Sequence, residues 1–150
     1  MEATGLRSSS EIMLDFDNFS RAGLLRFIQS HWFFLFRFSW PIFGRLSVRH
    51  VDAKRTSHGY HIRISVRNKI PKRELNFLQL ALGSDYQREC MNLRRIISCK
   101  QMKVWNVLYS FKFNSKGDIT SQEKPDTLLA RKIRTIIKGF QKMRRPLHRR

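Results

Sequence analysis

Apolar and polar residues alternate in four separate stretches of the chain, and this period of two is typical of β-strands buried on one side. The stretches are 11–18, 45–51, 60–66 and 103–113. In the first stretch, aliphatic and aromatic residues alternate with Asp15 and Asp17. In the third, Tyr60, Ile62 and Ile64 alternate with polar residues. We therefore expect each strand to turn one apolar side towards a core.

Between and after these strands, apolar residues recur every three or four positions, which predicts amphipathic helices. The predicted helices are 20–37, 71–82, 85–98 and 127–143. Asn18 or Ser20 can cap the first helix, and Gly83 can end the second. The apolar stripes comprise Leu24, Ile28, Trp32 and Leu35, then Leu75, Leu78 and Leu82, then Tyr86, Cys90, Leu93 and Ile97, and finally Leu128, Ile133, Ile136, Ile137 and Phe140.

The order of elements is strand, helix, strand, strand, helix, strand, and each strand has one apolar side. This order predicts an α+β protein, a two-layer βαββαβ sandwich of ferredoxin-like or RRM-like topology with a basic C-terminal helical arm. In that topology the first and third strands are central neighbours. The expected segments are a loose N-terminus (1–10), the α+β domain (11–113) with a polar connection at 52–59, a polar linker (114–126) and a basic helical tail (127–150).

Charge gives the strongest indication of a partner. The chain carries 30 Lys and Arg residues against 11 Asp and Glu residues, a formal net charge of +19. So large an excess favours a polyanionic partner, because it attracts phosphate-rich polymers over a long range. Nucleic acid, DNA or RNA, is the first candidate, and an anionic membrane surface is the second. The basic tail would dock on nucleic acid or fold on binding it.

Other sequence features exclude several classes of protein. Cys90 and Cys99 are the two cysteines, and their spacing supports neither a disulfide framework nor a zinc site. Reduced thiols and the lack of a signal-peptide pattern favour an intracellular protein. The apolar segment 24–43 contains Arg26 and Arg37, so it predicts an amphipathic core helix and no transmembrane segment.

The polar sides of the four strands would form the second face of the sheet. Its side chains would be Asp15, Asp17, Ser47, Arg49, His61, Arg63, Ser65, Asn106, Ser110 and Lys112. A mixed set of this kind is ordinary for a solvated sheet face. A functional interpretation starts from Asp15 and Asp17, because residues two apart on a strand point in the same direction. Acids are scarce in this chain, which makes the pair conspicuous.

Two neighbouring carboxylates suit Mg²⁺ or Mn²⁺, which prefer oxygen ligands and are often completed by substrate phosphates. In this interpretation Asp15 and Asp17 hold the metal, and His61 contacts a phosphate or donates a proton. The groups that could hold a nucleoside triphosphate or a strand backbone are Arg49, Arg63 and Lys112.

The sequences "LDFDN" and "SHGYHIRI" resemble the first two motifs of the archaeo-eukaryotic primase–polymerase superfamily. In that family a strand of hydrophobic-Asp-hydrophobic-Asp pattern supplies metal ligands. A later strand of Ser-x-His type contacts the incoming nucleotide, and the core is RRM-like. The resemblance covers about a dozen residues by motif.

The resemblance implies a small replication protein with nucleotidyltransferase activity that depends on Mg²⁺ or Mn²⁺. It makes Asp15 and Asp17 the metal ligands and Ser57 or Gly59, together with His61, the second motif. The family's third metal-binding acid has no counterpart in the predicted fourth strand.

Two other functions stay open. One is a non-catalytic RRM-like DNA- or RNA-binding protein, including a ribonucleoprotein component. RRM modules stack bases on aromatic residues of the central strands, but here Phe16 and Tyr60 fall on the core side. The other is a nuclease like the replication initiators, with Tyr86 as nucleophile. Its metal strand needs two histidines on one side, and the spacing of His58 and His61 does not provide this.

Helical basic residues complete the predicted nucleic-acid contacts. These are Arg88 and Arg95 on the third helix and Arg131, Lys132, Arg134 and Lys138 on the basic tail. Asp85 and Arg88 are also spaced to form an ion pair, which favours a structural role for Arg88.

Overall fold

Four strands form one antiparallel sheet in the computed structural model, which describes residues 8–38, 43, 45–98, 106, 111–113 and 115–143. In spatial order they are β1 (Ser8–Asp17), β3 (Gly59–Pro71), β2 (Val48–Arg55) and β6 (Lys124–Pro125). Two short strands, β4 (Phe111–Phe113) and β5 (Ile119–Gln122), pair separately. The helices are α1 (Arg21–Phe27), α2 (Phe33–Phe38), α3 (Lys72–Ala81), α4 (Tyr86–Ser98) and α5 (Thr127–Met143). The predicted α+β class is confirmed.

The alternation predicted for the first and third strands is confirmed. Ile12, Leu14 and Phe16 on β1 are buried, and so are Tyr60 and Ile62 on β3. Directly opposite residues of antiparallel strands point to the same face, and Phe16 lies opposite Tyr60 in the register. One face of the sheet is therefore core, and the polar residues between them lie on the other face.

The first helical region deviates from an ideal α-helix. A π-helical turn, Ile28–Trp32, joins α1 to α2, and Ser20 caps α1 by accepting a hydrogen bond from the Gly23 amide at 3.0 Å. The buried stripe runs at intervals of four residues, as Leu24, Ile28, Trp32 and Phe36. A regular α-helix would drift away from this spacing, and the wider π turn keeps the stripe on the core. Phe36 therefore takes the fully buried place that was predicted for Leu35.

Strand β2 is longer than predicted, and the expectation of a polar connection at 52–59 is wrong. The strand continues to Arg55, because Val51 and Ala53 still alternate with polar residues and lie buried opposite Ile64 and Ile62. A bulge between Val48 and His50 shifts the register. The connection is reduced to a tight turn at 56–58.

The glycine that follows this turn, Gly59, is required by a close contact between two strand backbones. It lies opposite Asp17, and a Cβ at this position would be 1.8 Å from the Phe16 carbonyl oxygen. The backbones of β1 and β3 approach too closely there for any side chain. The Gly-Tyr pair therefore joins a close backbone contact at Gly59 to a core aromatic ring at Tyr60.

The edge of β1 that faces away from β3 pairs with no described strand. Polar groups form hydrogen bonds with its backbone instead. The Met13 amide donates to Gln79 Oε1 at 2.9 Å, and the Asp15 amide donates to Ser84 Oγ at 3.0 Å. The Asp85 amide donates to the Asp15 carbonyl at 2.7 Å. In the expected topology the fourth strand would occupy this edge. The described part of 103–113 is Asn106, which is buried in a turn with φ of 57°, and β4, which pairs with β5.

Helix α4 faces the opposite way from the prediction. Its buried residues are Glu89, Asn92 and Ile96, whereas Tyr86 and Ile97 are 68% and 67% exposed. The stripe expected in the core therefore faces solvent. Hydrogen bonds from neighbouring polar side chains compensate for the burial of Glu89. The polar side of this helix therefore faces the interior, and the polarity of its residues does not identify the side that faces solvent.

Helix α5 belongs to the core, and the predicted separate basic arm is not confirmed. Leu129, Ile133 and Ile137 are buried against the sheet. Asp126 fixes the start of the helix, since its carboxylate accepts from the Leu129 amide at 3.0 Å and pairs with Arg21 at 2.9 Å. The stretch predicted as a linker contains β5 and β6. Of the described helices, none is long and apolar enough to span a membrane.

Replacing Gly59 with alanine should destabilise the protein by about 1–3 kcal/mol, the usual cost of forcing extra atoms into a packed site. Gly139 in α5 is the matched control, because a Cβ there meets no atom within 4 Å. Gly139→Ala should stabilise the helix by about 0.8–1 kcal/mol. Urea unfolding of both variants measures the two effects. Equal stabilities of Gly59→Ala and the native protein would contradict the close approach of β1 and β3.

Candidate functional site

His61 lies between two carboxylates on the polar face of the sheet. Its Nδ1 lies 3.0 Å from Glu123 Oε2, and its Nε2 lies 3.6 Å from Asp15 Oδ1. Asp15 is directly opposite His61 in the strand register, and Glu123 immediately precedes β6. We call this group the Asp15–His61–Glu123 cluster. The structure thus brings together Asp15 and His61, as predicted.

The cluster is largely screened from solvent, although an open cleft would be expected for a site on an exposed sheet face. The His61 side chain is 6% exposed, and the side chains of Glu123 and Asp15 are 10% and 18% exposed. Asp15 Oδ1 is buried and accepts no hydrogen bond from any described residue. A buried carboxylate oxygen that lacks a hydrogen bond costs free energy, which is typical of groups kept for function more than for stability.

Burial raises the pKa of the Asp15 carboxyl above its ordinary value, and the neighbouring charges of Asp17 and Asp85 act in the same direction. The charges of His61 and Arg88 oppose this shift without cancelling it. Asp17 is thus close enough to influence Asp15 electrostatically, as the DxD spacing predicts. The carboxyl of Asp15 holds its proton more strongly in the folded protein than in the unfolded chain.

Glu123 is the member of the cluster that the sequence interpretation missed. It lies between Gln122 and Lys124 in the stretch predicted to be a polar linker. No alternation of apolar and polar residues there indicates which way its side chain points. The only signal was the scarcity of acids, which draws attention to every carboxylate in the chain. Glu123 is an acid that follows the second motif in the chain. It contacts Nδ1 of His61, whereas Asp15 lies beside Nε2 on the other side of the ring.

Arg88, a predicted nucleic-acid contact, makes structural contacts within the protein. Its side chain is 12% exposed and forms an ion pair with Glu89. It also donates to the Met13 carbonyl at 2.9 Å and to Asn106 Oδ1 at 2.8 Å. The predicted Asp85 contact is a backbone one, in which the Arg88 amide donates to Asp85 Oδ2 at 2.9 Å. The guanidinium thus ties α4 to the edge of β1.

The other predicted contacts divide between the sheet and the helices. On the sheet side, Arg49 is exposed beside the bulge and Ser57 is exposed in the 56–58 turn, so neither is placed with the cluster by the strand register. Arg63 is half-buried on β3 opposite Met13, and its Nε lacks a hydrogen-bond partner. Lys112 is in β4, which pairs with β5 in a separate two-stranded sheet.

The helical candidates are mostly available to a partner. Arg131, Lys132 and Lys138 are exposed on α5, while Arg134 on the same helix and Arg95 on α4 are half-buried. His58 and His61 do not share a site of the nuclease kind, since His58 is exposed in the turn and His61 is buried in the cluster.

The fit of a metal to the two aspartates depends on the kind of site. Among the described residues, no group of three or more His, Cys, Asp or Glu side chains is placed to hold a metal ion. Mg²⁺, however, usually keeps several waters and binds through one or two carboxylates plus substrate phosphates. Asp15 and Asp17 fit that second kind of site, since Asp15 Oδ1 accepts no hydrogen bond from the described residues.

No protein-family model matches the chain, and neither does any curated protein or solved structure. The resemblance to the primase–polymerase superfamily therefore rests on its motif residues and stays a prediction. Function is inferred from the cluster and from the distribution of charge over the surface.

Replacing Asp15 with asparagine should stabilise the protein at neutral pH. The folded-state pKa of Asp15 is raised, so the stability that its bound proton contributes is lost as pH rises through that pKa. Asparagine cannot ionise, so the advantage of the variant should be smallest in acid and largest near pH 7. Thermal unfolding at pH 3 and pH 7 measures this. Glu74→Gln, at an exposed acid, should stay within about 0.5 kcal/mol of the native protein. A variant less stable than the native protein at pH 7 would contradict the raised pKa.

Proposed function

We propose that the protein binds nucleic acid through an electrostatic surface. The observation that supports this is the unequal exposure of charge. Among the described residues, 16 Lys and Arg side chains are exposed, whereas Glu74 and Asp118 are the only exposed acids. The fold draws carboxylates into helix caps, ion pairs and the cluster and leaves cations outside. The surface is therefore even more basic than the composition suggests.

Helix α5 offers an ordered row of cations. Its buried residues Leu129, Ile133 and Ile137 face the core, and Arg131, Lys138 and Lys142 are exposed at intervals of seven and four residues. Such spacing places them on one side of the helix. We call these three residues the α5 basic row. Lys and Arg side chains in a row can contact successive phosphates, and such contacts give affinity without base specificity.

Neutralising the α5 basic row should weaken binding of a fluorescein-labelled single-stranded oligonucleotide at fixed salt. The variant is Arg131→Gln, Lys138→Gln and Lys142→Gln combined, with Arg26→Gln, Lys69→Gln and Arg94→Gln combined as a control of equal charge at scattered exposed positions. We expect a loss of about tenfold or more for the row, similar for different base sequences, and a smaller loss for the control. Fluorescence anisotropy measures both affinities.

Equal losses in the two triple variants would place the contact elsewhere on the surface. If the native protein does not bind the oligonucleotide even at low salt, the proposed function is wrong.

A second candidate function is metal-dependent nucleotidyl transfer of the primase–polymerase kind. The observation that favours it is Asp15, whose Oδ1 lies beside His61 and accepts no hydrogen bond from the described residues. In this function Asp15 and Asp17 would hold Mg²⁺ or Mn²⁺ with a nucleoside triphosphate. His61 would position the phosphates or Asp15.

Nucleotide incorporation on a primed or unprimed template tests this candidate. Activity that requires Mg²⁺ or Mn²⁺ should be lost in Asp15→Asn and in Asp17→Asn, because each change removes a carboxylate ligand. The exposed Asp118→Asn variant is the control and should keep it. Activity that survives both ligand changes would contradict the metal site. Oligonucleotide binding by the same two variants should remain near the native level.

A further inference from the structure

A polar pocket lies at the end of the sheet where the β1–α1 loop meets the β2–β3 turn. Its volume is about 360 Å³, near the lower end of the range for small-molecule sites. Its polar lining includes Ser20, Arg21, Arg55, Thr56, Ser57 and His58. Among the described residues that line it, two are arginines and none is an acid.

One of the pocket's arginines, Arg55, faces a second cation on the neighbouring strand that is not itself a lining residue. Arg55, at the end of β2, lies directly opposite Lys124 on β6. Like charges directly opposite on neighbouring strands repel each other and destabilise a sheet. Both side chains are exposed, and within the described part of the chain no carboxylate forms an ion pair with either. A bound anion would relieve the repulsion.

Arg21 adds a third cation and, like Arg55, lines the pocket. Its guanidinium pairs with the buried carboxylate of Asp126 at 2.9 Å, which fixes its position while its side chain stays 46% exposed. Asp126 neutralises one of the three positive charges, so Arg55 and Lys124 leave an excess of two. The pocket and the strand next to Arg55 therefore carry positive charge that a dianion would balance.

From this arrangement we propose that the pocket binds a phosphate monoester, either the terminal phosphate of a nucleic-acid strand or the phosphate of a free nucleotide. Arginine forms paired hydrogen bonds to phosphate oxygens, and Arg55 is placed to do so at the pocket wall. Thr56 Oγ1 accepts a hydrogen bond from the Gly59 amide at 3.0 Å, so its hydroxyl hydrogen can be donated to the ligand. A monoester carries up to two negative charges, which matches the excess better than the single charge of a diester.

The pocket is separate from the Asp15–His61–Glu123 cluster. Arg55 lies opposite Tyr60, whose side chain is on the core face of the sheet, whereas the neighbouring His61 is on the polar face. If the ligand is the terminal phosphate of a strand, this inference rests on the proposed nucleic-acid binding. If the ligand is a free nucleotide, it does not. The two sources can be distinguished because a free nucleotide needs no strand.

The test compares 5′-phosphorylated and 5′-hydroxyl forms of one 3′-labelled oligonucleotide, and adenosine monophosphate with adenosine. The variant is Arg55→Gln, and Arg67→Gln is the control, since Arg67 is equally exposed on β3 and does not line the pocket. We expect the phosphorylated form to bind about tenfold more tightly, the effect of one charged hydrogen bond of about 1.5 kcal/mol. Arg55→Gln should abolish this preference, and Arg67→Gln should weaken both forms equally.

A preference for adenosine monophosphate over adenosine of similar size would support the free nucleotide, and a preference seen with the oligonucleotide alone would support the strand end. Equal binding of both oligonucleotides, with no preference for the nucleotide, would overturn this inference and leave the proposed function intact. Binding of the nucleotide that requires Arg55, without binding of either oligonucleotide, would support the pocket and refute the proposed function. A preference that survives Arg55→Gln would also overturn the inference.

Discussion

The buried carboxylate of Glu89 is the constraint on which much of this structure depends. It is 1% exposed, and a buried charge is tolerated only when it is paired and hydrogen-bonded. Asn76, Gln79 and Ser84 donate to its oxygens at distances between 2.9 and 3.2 Å, and the Arg88 guanidinium pairs with it. These donors come from α3, from the loop after it and from α4 itself. The two helices are therefore held in one arrangement.

The same side chains carry this constraint to the sheet. Gln79 and Ser84 accept hydrogen bonds from the β1 backbone, and Arg88 donates to it. An edge strand usually needs a device that prevents pairing with another chain, and here polar side chains supply it. Because Ser84 receives the Asp15 amide, the network also helps to fix the strand that carries the candidate carboxylates. The apolar stripe of α4 is exposed for the same reason. The polar side of that helix, which carries Glu89, must face the interior to form the network.

Much of the fold could be predicted because period-two and helical patterns report which side of an element meets the core. They succeeded for β1 and β3, where Phe16 and Tyr60 are buried as expected. They failed where hydrogen bonding outweighs hydrophobicity, as at Glu89, and where a residue such as Ala53 is too small to mark a strand. For the candidate site, Asp15 and His61 could be found because two strands bring them together. Glu123 could not, because it arrives from a distant stretch without a pattern.

We propose that the exposed cations of this fold contact a phosphate polymer, while most of its described acids are at least partly buried. The salt dependence of binding tests that claim most directly. Affinity of the native protein for a single-stranded oligonucleotide would be measured from about 50 to 200 mM salt, the range over which counterion release is usually resolved. We expect a straight line of log affinity against log salt, falling with a slope of about −0.7 for each phosphate neutralised and several phosphates in all. Affinity that does not change with salt would contradict it.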